Sequence, residues 1–290
     1  MRNMHLQSKL YKIFTISIVV AFLLTAHVCR AETSKNVYIY YDPSYRNAWL
    51  SVADSDTIVK FVPETLAKYG ISCEIVDAKR LAEMVSNLQE APNTVILMAQ
   101  DVAPDTVWTG ARDSPIQLWI EAGGTLIWTG DWEFYYIGFS NYTIIHQPYI
   151  ESIVFGMITV TAFADNTEVK PTELGRKIMP SFESYRTDRP AYASIAETFE
   201  CEIYGLSDDG VYAEPVLIKV GKGAVVKICM TGGRVDSTTR SILICEFILN
   251  RIFNMGGVKV EKPFPTTPVV VGVAIAVAVV VLIVYFMKRR

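Results

Sequence analysis

Residues 119–143 read WIEAGGTLIWTGDWEFYYIGFSNYT, and the order of parts in this stretch decides the fold class. The end of a helix, two glycines, a strand at 125–130 and an aromatic turn follow one another. Gly123 can stop the helix because glycine enters left-handed conformations without a Cβ penalty. TLIWTG lacks the alternation of a half-exposed strand, so it reads as buried on both faces, as in a parallel sheet covered by helices. Just upstream, Ser114 suits an N-cap, Pro115 the first helical position and Gln117 the return contact of a capping box, so a helix is expected from Ser114 to Gly123.

The same alternation extends toward the N-terminus. NVYIYY (36–41) opens the fold, and a helix is expected over 56–69, with Pro63 inside it and Gly70 just past its end. SCEIVD (72–77) is a second strand, with Asp77 capping a short helix that runs to Leu88. NTVILMA (93–99) is a third. Strand and helix repeating at this spacing argue for a parallel sheet with right-handed crossovers.

The second half has a different texture. FGMITVTAF (155–163) reads as a strand, and 164–196, interrupted by Pro171, Pro180 and Pro190, as loops with one short helix. TFECEIYGL (198–206) is a strand. EPVLIKVGKGAVVKICMTG (214–232) is a hairpin turning at Gly221, Lys222 and Gly223. Residues 236–253 form an amphipathic helix that buries Ile242, Leu243, Cys245, Phe247, Ile248 and Ile252.

The ends of the chain carry their own signals. Residues 1–31 combine Arg2, Lys9, Lys12 and Arg30, no acidic residue and an apolar run from Ile13, the build of a secretory signal peptide. Residues 269–287 are nineteen uncharged residues followed by Lys288, Arg289 and Arg290. That length spans roughly 28 Å as a helix, and the basic tail should stay on the cytoplasmic side. The expected organisation is a signal peptide (1–31), an extracytoplasmic α/β domain (32–257), a proline-rich linker (258–268), a single transmembrane helix (269–287) and a basic tail (288–290). The expected location is the cell membrane, with the bulk of the chain outside the cytoplasm.

Of the 27 basic residues, seven lie in the two end segments, which leaves the exported part at a net charge of −10 against 30 acidic residues. A surface of that sign is not expected to seek nucleic acid or anionic lipid. Cys73, Cys201, Cys229 and Cys245 are far apart and show no CxxC, so neither a metal knuckle nor a redox pair is expected, though one disulfide remains open in an exported chain.

The order of elements, with WIEAGGTLIWTGD (119–131) and the 214–232 hairpin, resembles the class I glutamine amidotransferase-like superfamily. The likeness is to its non-amidotransferase branches, similar to trehalose-utilisation-protein-like and β-galactosidase trimerisation domains, and covers about 36–254. It implies a flavodoxin-like parallel sheet with flanking helices plus a late β-hairpin, to which the C-terminal transmembrane helix is added. It also implies a Cys-His-Glu triad whose Cys sits on a strand-to-helix elbow. This sequence departs from that pattern: Asp131 follows the strand where the Cys would be, and His146 is the only histidine beyond the signal segment. No catalytic residue and no cofactor is therefore expected.

In parallel α/β sheets, ligands bind beyond the carboxyl ends of the strands. Those ends supply Asp42 and Tyr45, Gln100 and Asp101, and Asp131, Trp132 and Glu133 as candidate ligand-binding residues. The four acids could act as an acid/base pair or as oxygen ligands for a divalent ion, but Asp at turns commonly bonds its own backbone. The rings from Trp132 to Tyr142 could line a sugar face, dock a partner, or simply cover the sheet. Asn141-Tyr142-Thr143 is a glycosylation sequon. The expected function is a membrane-anchored, non-catalytic binding domain for a carbohydrate or an envelope protein. The rivals are a carboxylate-dependent, metal-assisted hydrolase or sugar-processing enzyme, and a structural subunit of a membrane assembly.

Overall fold

The structure is a computed structural model that describes residues 35–156, 159–230 and 234–262. The expected signal peptide and transmembrane helix lie outside the described residues, as do all but the first five residues of the linker. Among the described residues, no helix is long and apolar enough to cross a membrane. The chain divides into a unit through Lys259 and a second from Val260, and the secondary structure of the described residues belongs to the first.

The first half alternates as its sequence suggests. It contains β1 (Asn36–Tyr40), α1 (Val52–Ala67), β2 (Cys73–Val76), α2 (Ala78–Val85), β3 (Thr94–Met98), the two-residue β4 (Ala103–Pro104), α3 (Pro115–Ala122) and β5 (Thr125–Trp128). A covering segment follows, with β6 (Tyr136–Gly138), β7 (Ile144–His146) and the short α4 (Ile150–Val154). The late part holds β8 (Thr167–Pro171), α5 (Glu173–Ile178), β9 (Tyr185–Thr187), β10 (Ala191–Tyr192), β11 (Cys201–Ile203), β12 (Gly205–Leu206) and β13 (Tyr212–Ala213). It closes with the hairpin β14 (Val216–Val220) and β15 (Gly223–Lys227), and with α6 (Ser237–Phe247).

The main sheet has seven strands in the order β11-β14-β15-β5-β3-β1-β2. β2, β1, β3, β5 and β15 run parallel, while β14 and β11 are antiparallel additions at one edge. All residues of β3 and β5 are buried, as the unbroken apolar runs require. α1 packs on α6, and α2 on α3. With right-handed crossovers, the reversal of strand order between β1 and β3 puts these two pairs on opposite faces. The fold is thus α/β with a parallel-rich sheet and a late antiparallel part.

Several local rules explain the boundaries. Asp77 caps α2 by accepting the Arg80 N–H at 2.8 Å, and Gly70 takes a left-handed φ of 77° after α1. The double glycine has two separate duties: Gly123 ends α3 at φ 130°, and a Cβ on Gly124 would lie 2.5 Å from the Trp119 ring.

Five expectations need correction. α1 starts at Val52 rather than near Asp56, because the Ser51 hydroxyl accepts the Asp54 N–H and donates to the Asp54 carboxylate. The capping box at α3 does not form. The Ser114 hydroxyl instead accepts from Thr109 N and Ala111 N, and Gln117 donates to Glu121 and to Val154 O. In the described part of 155–163 the only β pairing is an isolated bridge from Thr161 to Ala191. The N–H groups of Val160 and Thr161 go to the Glu151 carboxylate rather than to a strand. Finally, 164–196 carries three strands. β10-β13-β12-β8-β9 form a second sheet, and β4-β6-β7 a third. The 198–206 run is split at buried Tyr204, with β11 in the main sheet and β12 in the second.

Candidate functional site

The strand order reverses between β1 and β3, and an open cleft of about 360 Å3 lies beyond the carboxyl ends of those strands. Tyr41, Tyr45, Arg46, Asn47, Gln100 and Tyr142 are among its lining residues. The cleft is a tyrosine-rich groove with an amide floor. Gln100 bonds the Asp42 N–H, Tyr45 O and the Asn47 side chain, which fixes that floor. Arg46 is exposed and makes no ion pair among the described residues.

The acids expected at this edge are engaged with the protein itself. Asp42 accepts the N–H groups of Ser44 and Ala78. Asp101 is fully buried and accepts three consecutive N–H groups, from Ala48, Trp49 and Leu50, at 2.9, 2.6 and 2.8 Å. Burial pushes its carboxyl up, and those three donors pull it the other way. Tyr45 donates to Asp105 at 3.1 Å, and burial raises its phenol to about 12. Glu133 is buried against Lys227 at 2.5 Å. Burial also raises its carboxyl, against the opposing pull of the Lys227 ammonium.

Asp131 and Trp132 remain half-buried. Burial raises the Asp131 carboxyl, and the Trp132 N–H and the Arg189 charge oppose the rise. Gly130, at φ 108°, packs so closely that a Cβ there would lie 2.5 Å from the Asp101 Cβ. Trp132 stacks on Tyr135 with centroids 5.3 Å apart and donates to Glu151. Trp49, which is 65% exposed, donates its indole N–H to the Tyr136 hydroxyl at 2.7 Å. Phe134 turns inward between Trp108 and Trp128. The aromatic segment therefore does two things: Phe134 covers the sheet, while Trp132 and Tyr135 stay at the surface. His146 stacks beside Tyr135 and Tyr136. Asn141 is exposed, with its side-chain oxygen bonded to Thr143 N and Oγ1.

Behind this edge lies a buried polar network that sequence reasoning missed. Lys227 Nζ donates to Glu133 and to Thr161 Oγ1. Glu214 accepts from Tyr185 OH, Thr187 Oγ1 and Met230 N at 2.9, 2.7 and 2.9 Å, and burial pushes its carboxyl up to about 7. The available signal was a lysine inside the apolar run VVKICM, since an unpaired charge is costly in a buried strand.

The chemistry of an elbow nucleophile is missing at the expected place. Asp131 leads through a turn into β6, and no helix follows until Ile150. Cys229 does lie between a strand and a helix, past the end of β15 and before α6, at a left-handed φ of 53°. It is fully buried, however, and burial raises its thiol to about 12, the wrong direction for a thiolate. The four described cysteines are free thiols. Among the described residues, no group of three or more His, Cys, Asp or Glu is placed to hold a metal ion.

Similarity to known proteins is partial. An uncharacterized protein of Methanocaldococcus jannaschii, MJECL34, is 29% identical over 111 residues, a match covering 36% of this chain and 36% of that protein. Two sugar-enzyme structures resemble the chain trace. One is an exo-β-1,4-mannosidase from Opitutaceae bacterium strain TAV5 (13% identity, 84% of this chain, 39% of that one, TM-score 0.38). The other is a β-galactosidase from Bacillus circulans sp. alkalophilus (11%, 76% and 31%, TM-score 0.44). A cytoplasmic protein of Salmonella typhimurium LT2 is 11% identical and is matched over 77% of this chain and 99% of its own length, at a TM-score of 0.44. This chain thus spans about a third of the curated relative and well under half of the two sugar enzymes. At these scores the structural likenesses carry no functional weight. Residues 35–190, more than half of the chain, match the MJECL34 family, and the chain belongs to that family.

Proposed function

We propose that this chain is a membrane-tethered, extracytoplasmic binding domain that takes a carbohydrate at the carboxyl edge of its sheet. In this reading the sheet is flavodoxin-like, of glutamine-amidotransferase-like descent, and has lost its nucleophile. The observation that carries the proposal is the cleft at the reversal of strand order, lined by Tyr41, Tyr45 and Tyr142 and flanked by exposed Trp49. Flat rings with polar rims suit the alternating apolar and hydroxylated faces of a sugar. The engagement of Asp42, Asp101 and Glu133 with backbone or lysine supports binding over acid/base catalysis.

The test is a glycan screen by thermal shift on the full-length chain in detergent, followed by titration of any hit. Binding should weaken about tenfold in Trp49→Ala or Tyr142→Ala, the scale of losing one aromatic anchor. A screen without a hit, or a hit indifferent to both substitutions, would end this reading. The hydrolase reading retains one favourable observation, the half-buried Asp131 with its raised carboxyl. It requires turnover of the bound glycan that disappears in Asp131→Asn.

A further inference from the structure

The opposite edge of the sheet carries a second cleft, of about 280 Å3, lined by Lys35, Lys219, Lys222 and Arg251 around the turn of the β14–β15 hairpin. We propose that this amino-edge cleft binds a phosphate-type anion. Lys35 is half-buried just before β1, Lys219 and Lys222 lie on β14 and at the turn of the same hairpin, and Arg251 follows α6, so three separate segments bring cations to one hollow.

Among the described residues, Arg251 is the one of these four cations that makes an ion pair. Its carboxylate partner is Glu202, which is fully engaged. Arg251 holds it through Nη2 at 2.5 Å and Nε at 2.7 Å, and Tyr204 donates to it at 2.6 Å. Lys35, Lys219 and Lys222 make no ion pair among the described residues. Burial first, and then the Arg251 and Lys219 charges, hold the Lys35 ammonium below the usual lysine range. Like charges gathered in a concavity repel one another and concentrate counter-ions, and the repulsion is relieved when an anion enters. On a chain with a formal net charge of −3, such a cluster stands against the overall sign.

The number of cations selects the anion. Several cations lining one hollow suit an oxyanion with three or more charged oxygens better than a planar carboxylate, which a single guanidinium already satisfies. The site lies at the other end of the strands from the carbohydrate cleft, and its existence does not depend on that cleft. A phosphate group could arrive as a lipid headgroup or as a free phosphate compound.

Isothermal titration of the full-length chain with inorganic pyrophosphate and glycerol phosphate, beside co-sedimentation with phosphatidic acid vesicles, separates the two sources. Binding of both soluble probes without co-sedimentation on phosphatidic acid vesicles points to a free ligand, co-sedimentation lost in Lys222→Gln points to a headgroup, and either supports the site. Affinity should fall at least tenfold in Lys35→Gln/Lys219→Gln, and should also fall in the exposed-turn variant Lys222→Gln, which leaves the packed residues untouched. Far-ultraviolet circular dichroism at matched temperature checks that each variant is folded. No heat with either probe in the wild type, or unchanged affinity in folded variants, overturns the proposal.

Discussion

The two edges of the main sheet handle charge in opposite ways. At the carboxyl edge, Asp101 meets three N–H groups and Glu133 meets Lys227, so each buried charge has a fixed partner. At the amino edge, Lys35, Lys219 and Lys222 share a cleft without partners of opposite sign among the described residues. A charge matched within the protein builds scaffold, because removing either partner strands the other in a low-dielectric interior. Unmatched charge at a half-open surface leaves interaction energy available to a ligand. Chemical type alone does not separate the two cases; the partners do.

Breaking the matched edge should have the largest effect. Glu133→Ala leaves the fully buried Lys227 without its carboxylate and should destabilise the fold by about 3–5 kcal/mol in urea unfolding. Glu133→Leu combined with Lys227→Met should recover much of that loss. If the single and double variants are equally unstable, the pair is not what matters.

Next in size is a pH effect at Glu214, whose carboxyl rises from 4.5 to about 7 on folding. The folded chain therefore holds this proton more tightly than the unfolded chain. Stability from this group should fall as pH rises from about 4.5 to about 7 and level off above, a change of roughly 3 kcal/mol. Unfolding curves at pH 5 and pH 8 should show that slope in the wild type and a flatter one in Glu214→Gln.

The smallest of the three is Asp101→Ala. It leaves three backbone N–H groups without their acceptor and should cost about 1–3 kcal/mol, with faster amide exchange confined to residues 48–50. Unchanged exchange there would mean that the 43–51 loop is held by other contacts.

The parallel core was legible because its signals are local. VILM and LIW are unbroken apolar runs, and Asp77 and Gly70 mark helix ends by their own chemistry. What escaped depended on distant partners. Glu151 withdraws the N–H groups of Val160 and Thr161 from strand pairing, and nothing in FGMITVTAF announces that. The Ser51–Asp54 cap is present in the sequence as Ser-x-x-Asp, beginning five residues before the expected helix start. At the candidate site the strand ends located Tyr45 and Gln100 in the cleft, but Arg46 and Asn47 line it through loop geometry. The partners of Asp42, Asp101 and Glu133 lie roughly 35 to 95 residues away for the long-range bonds, a distance over which composition and spacing are silent.

Tyr204 stands where one run of chain leaves the main sheet and enters the second, and its backbone is bonded on both sides. Its N–H goes to Pro215, and its carbonyl receives the N–H and hydroxyl of Thr172. Such a shared rivet ties the late antiparallel sheet into the melting transition of the parallel one. Heating should therefore release both layers in one step, and truncating the late part should leave the earlier strands with an unsealed flank rather than a free-standing smaller protein.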